Sequence, residues 1–221
     1  MDSDCGLGTA PAQPRGPGRP KQRTDDQERR RIVAVACELF LDVGYGGTTM
    51  DAVAARCGVS KKTLYRLFPA KTDLFGAMIA DHRRTMLALP RPDDALSPAQ
   101  ALAHIFRLDI DEVENRQRLA FIRLATADAD RFPEIGTAIT QEGAEPARRL
   151  LADWLERQQQ RGILRAFPPE TAARMLMDMV FSVMVKRFPG DNLLTREARV
   201  AHARQCIDVF LHGLGRTVPG D

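Results

Sequence analysis

Aromatic residues are scarce, at 6% of the chain, and no apolar run approaches the roughly 18 residues that a membrane-spanning helix needs. The first nine residues, MDSDCGLGT, carry two acids and no apolar stretch, so no secretory leader is expected. Cysteines stand only at 5, 37, 57 and 206, without paired or metal-like spacing. That excludes a disulfide framework and a zinc finger and points to a reducing, cytoplasmic compartment. β-branched alternation is missing throughout, so no sheet is expected. The four histidines, His82, His104, His202 and His212, share no ligand spacing. Glu112 with Glu114, and Asp128 with Asp130, stand two apart on a helix and cannot face each other. No nucleotide-binding loop occurs, so neither a catalytic centre nor a cofactor is expected.

What is present is 221 residues, 44% hydrophobic and 28% charged, enough for one large or two small domains. The net charge of +3 is uneven. Residues 1–71 hold 12 Lys/Arg against 8 Asp/Glu, a net of +4, and the remaining 150 residues a net of −1. A basic front on a near-neutral body suits a polyanion partner at the front and another task behind. Residues 1–24 read as a disordered Pro/Gly-rich tail. Its basic end, Arg15 to Arg23, suits either a minor groove or a merely solubilising linker.

From Asp25 the pattern is helical. Ile32, Val35, Ala36, Leu39 and Phe40 mark one helix face, and Gly44 ends it. A second helix is expected from Thr48, capped by its hydroxyl with Asp51 three residues on. Gly58 closes that helix, Ser60 caps a third, and Pro69 precedes a fourth beginning at Lys71–Asp73. Pro90, Pro92 and Pro98 mark a connection between head and body. Further helices are expected near 98–112, 115–129, 133–141, 143–161, 169–187 and 195–214. The fold class is all-α: an N-terminal helix-turn-helix domain over 25–75, then a larger helical regulatory and dimerisation domain over 76–221.

The turn Cys57-Gly58-Val59-Ser60 joins two short helices, with Leu64 and Phe68 turned inward. Lys61, Lys62, Thr63, Tyr65 and Arg66 are left facing outward, a cationic, hydrogen-bonding surface that suits a major groove. Lys71 is placed for a phosphate. The alternative is an ordinary helical hairpin with a solvated basic face.

Residues 32–75 resemble the DNA-binding domain of TetR-family transcriptional regulators. The matching positions are A-x-x-L-F at 36–40, Gly44, Gly47, Thr48-Thr49, Val53-Ala54, Gly58-Val59-Ser60, Thr63-Leu64-Tyr65, Phe68, Lys71 and Leu74-Phe75. The stretch 116–139, with Arg131-Phe132-Pro133-Glu134, is similar to the AefR-type subset. The resemblance implies a homodimeric repressor on a palindromic, double-stranded operator, released by a small-molecule ligand. It implies DNA contacts from Thr48, Thr49 and Ser60 beside the outward face, with Thr49, Tyr65 and Lys71 on phosphates and Lys61 and Lys62 as base readers. Lys62 stands where the family often has a small residue, so the reading face is bulkier and more cationic.

In the body, the helix near 169–187 is apolar nearly all round and the last helix has a broad apolar stripe. The expected dimer seam contains Phe181, Met184, Cys206, Ile207, Phe210 and Leu214; the alternative is that both stripes are core. The expected walls of a largely apolar effector pocket are Phe106, Ile110, Phe121, Leu124, Trp154, Met175 and Met179, with Asp109 and Arg123 as orienting charges. A helical ligand-binding or scaffolding bundle that does not read DNA is the competing function.

Overall fold

A computed structural model describes residues 24–92, 95–184 and 194–214; the tail at 1–23 and the end of the helix expected to 187 lie outside the described residues. Ten α-helices follow in order: α1 Asp25–Gly47, α2 Met50–Cys57, α3 Lys61–Leu67, α4 Lys71–Met86, α5 Pro98–Ile105, α6 Glu112–Ala127, α7 Pro133–Ala138, α8 Glu145–Gln160, α9 Pro169–Phe181 and α10 Arg196–Leu214. Ile139–Ala144 form a π-helical segment between α7 and α8. No strand occurs among the described residues.

Local chemistry explains the starts. Thr24 and Gln27 form a capping box on α1, so the helical domain begins one residue inside the stretch read as tail. Ser97 and Gln100 do the same on α5, and Asp111 caps α6. Gly44 breaks α1 as its position suggested, with φ 74°, but one further turn runs on to Gly47. α5 is shorter than its periodicity implied. It ends at Ile105, with Phe106 as its cap, because Arg107 takes φ 53°, a left-handed conformation that no L-residue adopts without cost.

The break expected near 142 is absent. α7, the π-helical segment and α8 are continuous, and Pro146 lies in the first turn of α8. Proline has no N–H to give the Glu142 carbonyl four residues back. Arg83 of α4 donates to that carbonyl instead, at 2.9 Å. Beside it Gly143 lets α4 approach: a Cβ there would stand 3.0 Å from the Ile79 side chain.

Two cores result. The head core gathers Ile32, Phe40, Tyr45, Leu64, Phe68 and Phe75, and is completed by Phe121, Leu124 and Ala125 of α6 and Ile135 of α7. The body core contains Leu102, Phe106, Leu151, Trp154, Leu155, Leu176, Ile207 and Phe210. α4 serves both parts. Its first half fills the head and its second half reaches the body.

Candidate nucleic-acid interface and apolar cavity

The two short helices meet through Gly58, whose φ of 64° lets its N–H close α2 while Val59 turns the chain. Ser60 Oγ accepts the Thr63 N–H at 3.1 Å and bonds the Thr63 hydroxyl at 2.9 Å, fixing where α3 starts. Leu64 and Phe68 are buried, which turns Lys61, Lys62, Tyr65 and Arg66 to solvent, with Thr63 half-buried at the edge. Tyr65 is 45% exposed, unusual for an aromatic side chain with no internal role.

The cations of this face are not equivalent. Lys61 donates to Asp51 at 2.7 Å, and the carboxylate raises its pKa. Arg66 holds Asp25 through two bonds, at 2.6 and 2.9 Å, which pulls the Asp25 carboxyl below its ordinary value. Lys62 is exposed and has no ion pair among the described residues. Arg66 and Asp25 lie 41 residues apart, and no local spacing announces such a pair.

Three expected DNA contacts have internal roles. Thr48 does not cap α2: it is 2% exposed, and its hydroxyl donates to the Gly44 carbonyl freed by the kink, at 2.8 Å. Thr49 caps instead, accepting from Ala52 at 3.1 Å, and remains exposed. Lys71 is half-buried rather than an open phosphate clamp. Its ammonium donates to the carbonyls of Tyr45 at 2.8 Å and Thr48 at 3.1 Å and lies 4.1 Å from the Tyr45 ring centre. Burial lowers its pKa. Lys71 thus fixes the turn between α1 and α2.

A cavity of about 200 Å³ lies between α4, α6, the π-helical segment and α9, with Ile79, His82, Phe121, Ile122, Met177 and Phe181 among its walls. The His82 ring stacks on Phe121 with centroids 3.6 Å apart and planes at 8°. Burial lowers the His82 pKa, favouring the neutral imidazole.

The matches to known proteins agree in kind. Residues 32–78 match the family of bacterial regulatory proteins described as tetR, and residues 100–214, more than half of the chain, match the C-terminal domain of AefR-like transcriptional repressors. The chain belongs to the TetR family. It is similar to the HTH-type transcriptional regulator YvkB of Bacillus subtilis, 23% identical over 167 residues that cover 75% of this chain and 86% of that protein. A putative TetR-family regulator from Mesorhizobium loti superposes with a TM-score of 0.66 at 26% identity, covering 88% of this chain and all of that one. The flavonoid-responsive regulator FrrA does so with 0.62 at 28% identity, covering 87% and all. This TetR-family protein is a DNA-binding transcriptional regulator with an all-α fold.

Within that frame, the body differs from its sequence-based picture. Of the expected pocket walls only Phe121 lines the cavity. Phe106 and Trp154 are body core, Leu124 belongs to the head core, and Ile110 borders smaller clefts nearby. Met175 is 48% exposed and Met179 packs on the body core, whereas Met177, between them, faces the cavity. At about 100° per residue, two positions along an apolar helix reverse its direction. Asp109 bonds His104 on the surface at 2.8 Å, and Arg123 is exposed, so neither orients a ligand in this cavity.

The residues of the expected dimer seam have different surroundings within the chain. Phe181 and Met184 line the cavity, and Ile207 and Phe210 are buried within the chain, with Cys206 packed against the same core. The side chain of Leu214 lies outside the described residues. Among the described residues, the large apolar groups left outward on α9 and α10 are Met175 and Val209, the latter 60% exposed.

No group of three His, Cys, Asp or Glu that could hold a metal occurs among the described residues. None of the described helices is long and apolar enough to cross a membrane.

Proposed function

We infer that this regulator is a cytoplasmic homodimeric repressor that leaves a palindromic operator when a small, largely apolar effector enters the cavity. Residues 25–75 act as the reading head and 76–221 as the regulatory and dimerisation body. The observation that carries the reading is the double role of α4. Leu74, Phe75 and Met78 are packed in the same core as Leu64 and Phe68 of α3, and Ile79, His82, Arg83 and Met86, on the next turns, wall the cavity. A molecule in the cavity therefore pushes on the helix that seats the reading helix. It releases DNA only if it binds the non-reading arrangement better, and operator then weakens effector binding by the same factor.

On DNA, Lys62, Thr63 and Tyr65 approach base edges and phosphates. Lys61 and Arg66 reach phosphates by exchanging their carboxylate partners. Ser60 and Thr49 hold the helix starts and present their backbone amides. Met175 and Val209 support a pairing face on α9 and α10, where a second copy completes a four-helix seam. The name of the similar protein FrrA, flavonoid-responsive, favours control by a small molecule here as well.

Selection of bound duplexes from a random pool tests the reading. Enrichment of an inverted repeat with half-sites about one helical turn apart, or a multiple of it, is expected. Failure to enrich any sequence would instead support the competing bundle that does not read DNA.

A further inference from the structure

Arg118 of α6 is 4% exposed, yet no carboxylate reaches it among the described residues. One of its terminal nitrogens donates to the Phe106 carbonyl at 3.2 Å and another touches Met184 Sδ at 3.8 Å, while Nε has no partner. A guanidinium buried without an anion is costly, and structural arginines at such depth normally have a paired acid. The neighbouring acids and amides are already engaged. Glu114 holds Arg107 at 3.1 Å, Asn115 holds Arg199 at 3.3 Å, and Glu112 stands 3.7 Å from Arg196. Burial, with the positive charge of Arg107 and Arg199 beside it, lowers the Arg118 pKa to about 10.

Position gives this charge a meaning. Two small clefts, of about 20 and 80 Å³, flank Arg118. Met184 borders the first of them and also the apolar cavity; His82 borders the second and also the apolar cavity. Phe181, a third cavity wall, has its ring centre 5.7 Å from the guanidinium carbon. The unpaired cation thus stands directly behind the end wall of an apolar chamber, separated from it by a methionine, a side chain that changes rotamer readily.

We propose that Arg118 receives the carboxylate of an amphiphilic effector, a medium-chain or aryl carboxylic acid, whose apolar part fills the cavity against His82 and Phe121. Met184 turns aside to connect the two spaces. Arg118 supplies a paired set of N–H donors, matching a carboxylate in shape and charge. The modest cavity sets the scale: it is smaller than the roughly 300–1,000 Å³ of pockets for drug-sized ligands, which suits a chain of octanoate length. The inference rests on reading the cavity as the effector site, but its test needs no DNA.

Calorimetry on the full chain with octanoate, octan-1-ol and acetate is the experiment. Octanoate is expected to bind at least about tenfold tighter than the alcohol, the scale of one charge-assisted contact, and acetate far more weakly than octanoate. In Arg118→Met, which replaces an unpaired buried charge by a group of similar length, the acid and alcohol should bind alike, with alcohol affinity retained. Equal affinities in wild type, absence of octanoate binding, or a preference that survives Arg118→Met would each overturn the proposal. Should that variant fail to fold, carbon-13 NMR of carboxyl-labelled octanoate on wild type decides. Bound carboxyl beside the guanidinium should titrate below the free acid; titration above it, as for a carboxyl in a purely apolar site, overturns the proposal. If octanoate binds as described but leaves operator affinity unchanged, the site stands and the effector reading fails.

Discussion

One oxygen of the Asp128 carboxylate, Oδ2, at the end of α6 in the body, accepts the backbone N–H of Tyr45 in the head at 3.1 Å and that of Gly46 at 3.4 Å. The bond joins the two parts at the very turn that Lys71 holds from the other side. Around it Tyr45 meets Phe132 with ring centres 5.2 Å apart, and its hydroxyl donates to Glu134 at 3.4 Å. Burial pushes the Tyr45 phenol up to about 12, so it remains a donor throughout the physiological range.

Asp128→Ala should therefore loosen the head on the body without removing any reading residue. A hydrogen bond to a charged group contributes about 1.5–3 kcal/mol, less here because the site is partly open to water. A loss of about 1 kcal/mol in urea unfolding is expected, with the effector's influence on DNA affinity reduced more than DNA affinity itself. Full retention of effector response would show that coupling runs through α4 alone.

Lys71→Met should act on stability. Two buried carbonyls lose their donor, at a cost of about 1–3 kcal/mol, whereas the slope of log affinity against log salt should stay near wild type. A phosphate-bound lysine would lower that slope by roughly 0.9 when removed. Isotherms at several salt concentrations separate the two roles.

The reading face gives a paired test. Asp25→Asn frees Arg66 and should tighten binding to any duplex and steepen its salt dependence. Lys62→Ala should weaken operator binding, because this lysine has no carboxylate to leave behind. If Asp25→Asn weakens binding to random duplexes, Arg66 is not a latent phosphate contact.

Which of these features could be read in the sequence follows from their range along the chain. Caps, the Gly58 turn and the inward pair Leu64 and Phe68 depend on neighbours within four residues, and the helix-turn-helix and the family were legible for that reason. The ion pair of Arg66 with Asp25, the bond of Asp128 to Tyr45, and the Arg83 bond to a carbonyl exposed by Pro146 span 41, 83 and 59 residues. Only the folded chain brings them together. The walls of the cavity are not legible in the sequence for a different reason. α9 is apolar on most sides, so periodicity could not say whether Met175, Met177 or Met179 faced inward. On α10 the broad stripe with Ile207 and Phe210 serves the chain's own core, a use that composition cannot distinguish from a dimer seam.

Because Ile207 and Phe210 are buried within the chain, mutations on the two faces of α10 should act differently. Phe210→Glu places a charge in the body core and should cost more than about 3 kcal/mol, unfolding the chain rather than dissociating it. Val209→Glu, on the open face, should preserve the helical circular-dichroism signal and the melting behaviour of the monomer while shifting sedimentation from dimer towards monomer. A folded Phe210→Glu monomer would return the seam to the inner stripe. An unshifted Val209→Glu dimer would move the pairing face elsewhere.

The stacked pair His82 and Phe121 yields a pH dependence whose sign is fixed by burial. The folded-state pKa of His82 is lowered from an unfolded value near 6.5. Between those two values the unfolded chain binds the extra proton, so stability falls as pH drops below about 6.5 and is unaffected by this group above it. Nearby Asp81 opposes the shift without reversing it. His82→Phe preserves a flat ring against Phe121 but has nothing to protonate. Thermal melts of wild type and variant should run parallel above pH 7 and diverge below about pH 6.5, with the variant gaining relative stability as the medium becomes more acid. The other histidines are common to both proteins and cancel in the difference. A saturating apolar ligand should widen the divergence, because it further dries the chamber that the imidazole borders. A difference that stays constant from pH 8 to pH 5 would mean that His82 accepts its proton in the folded state as easily as in water, and that the cavity wall is wetter than its lining residues imply.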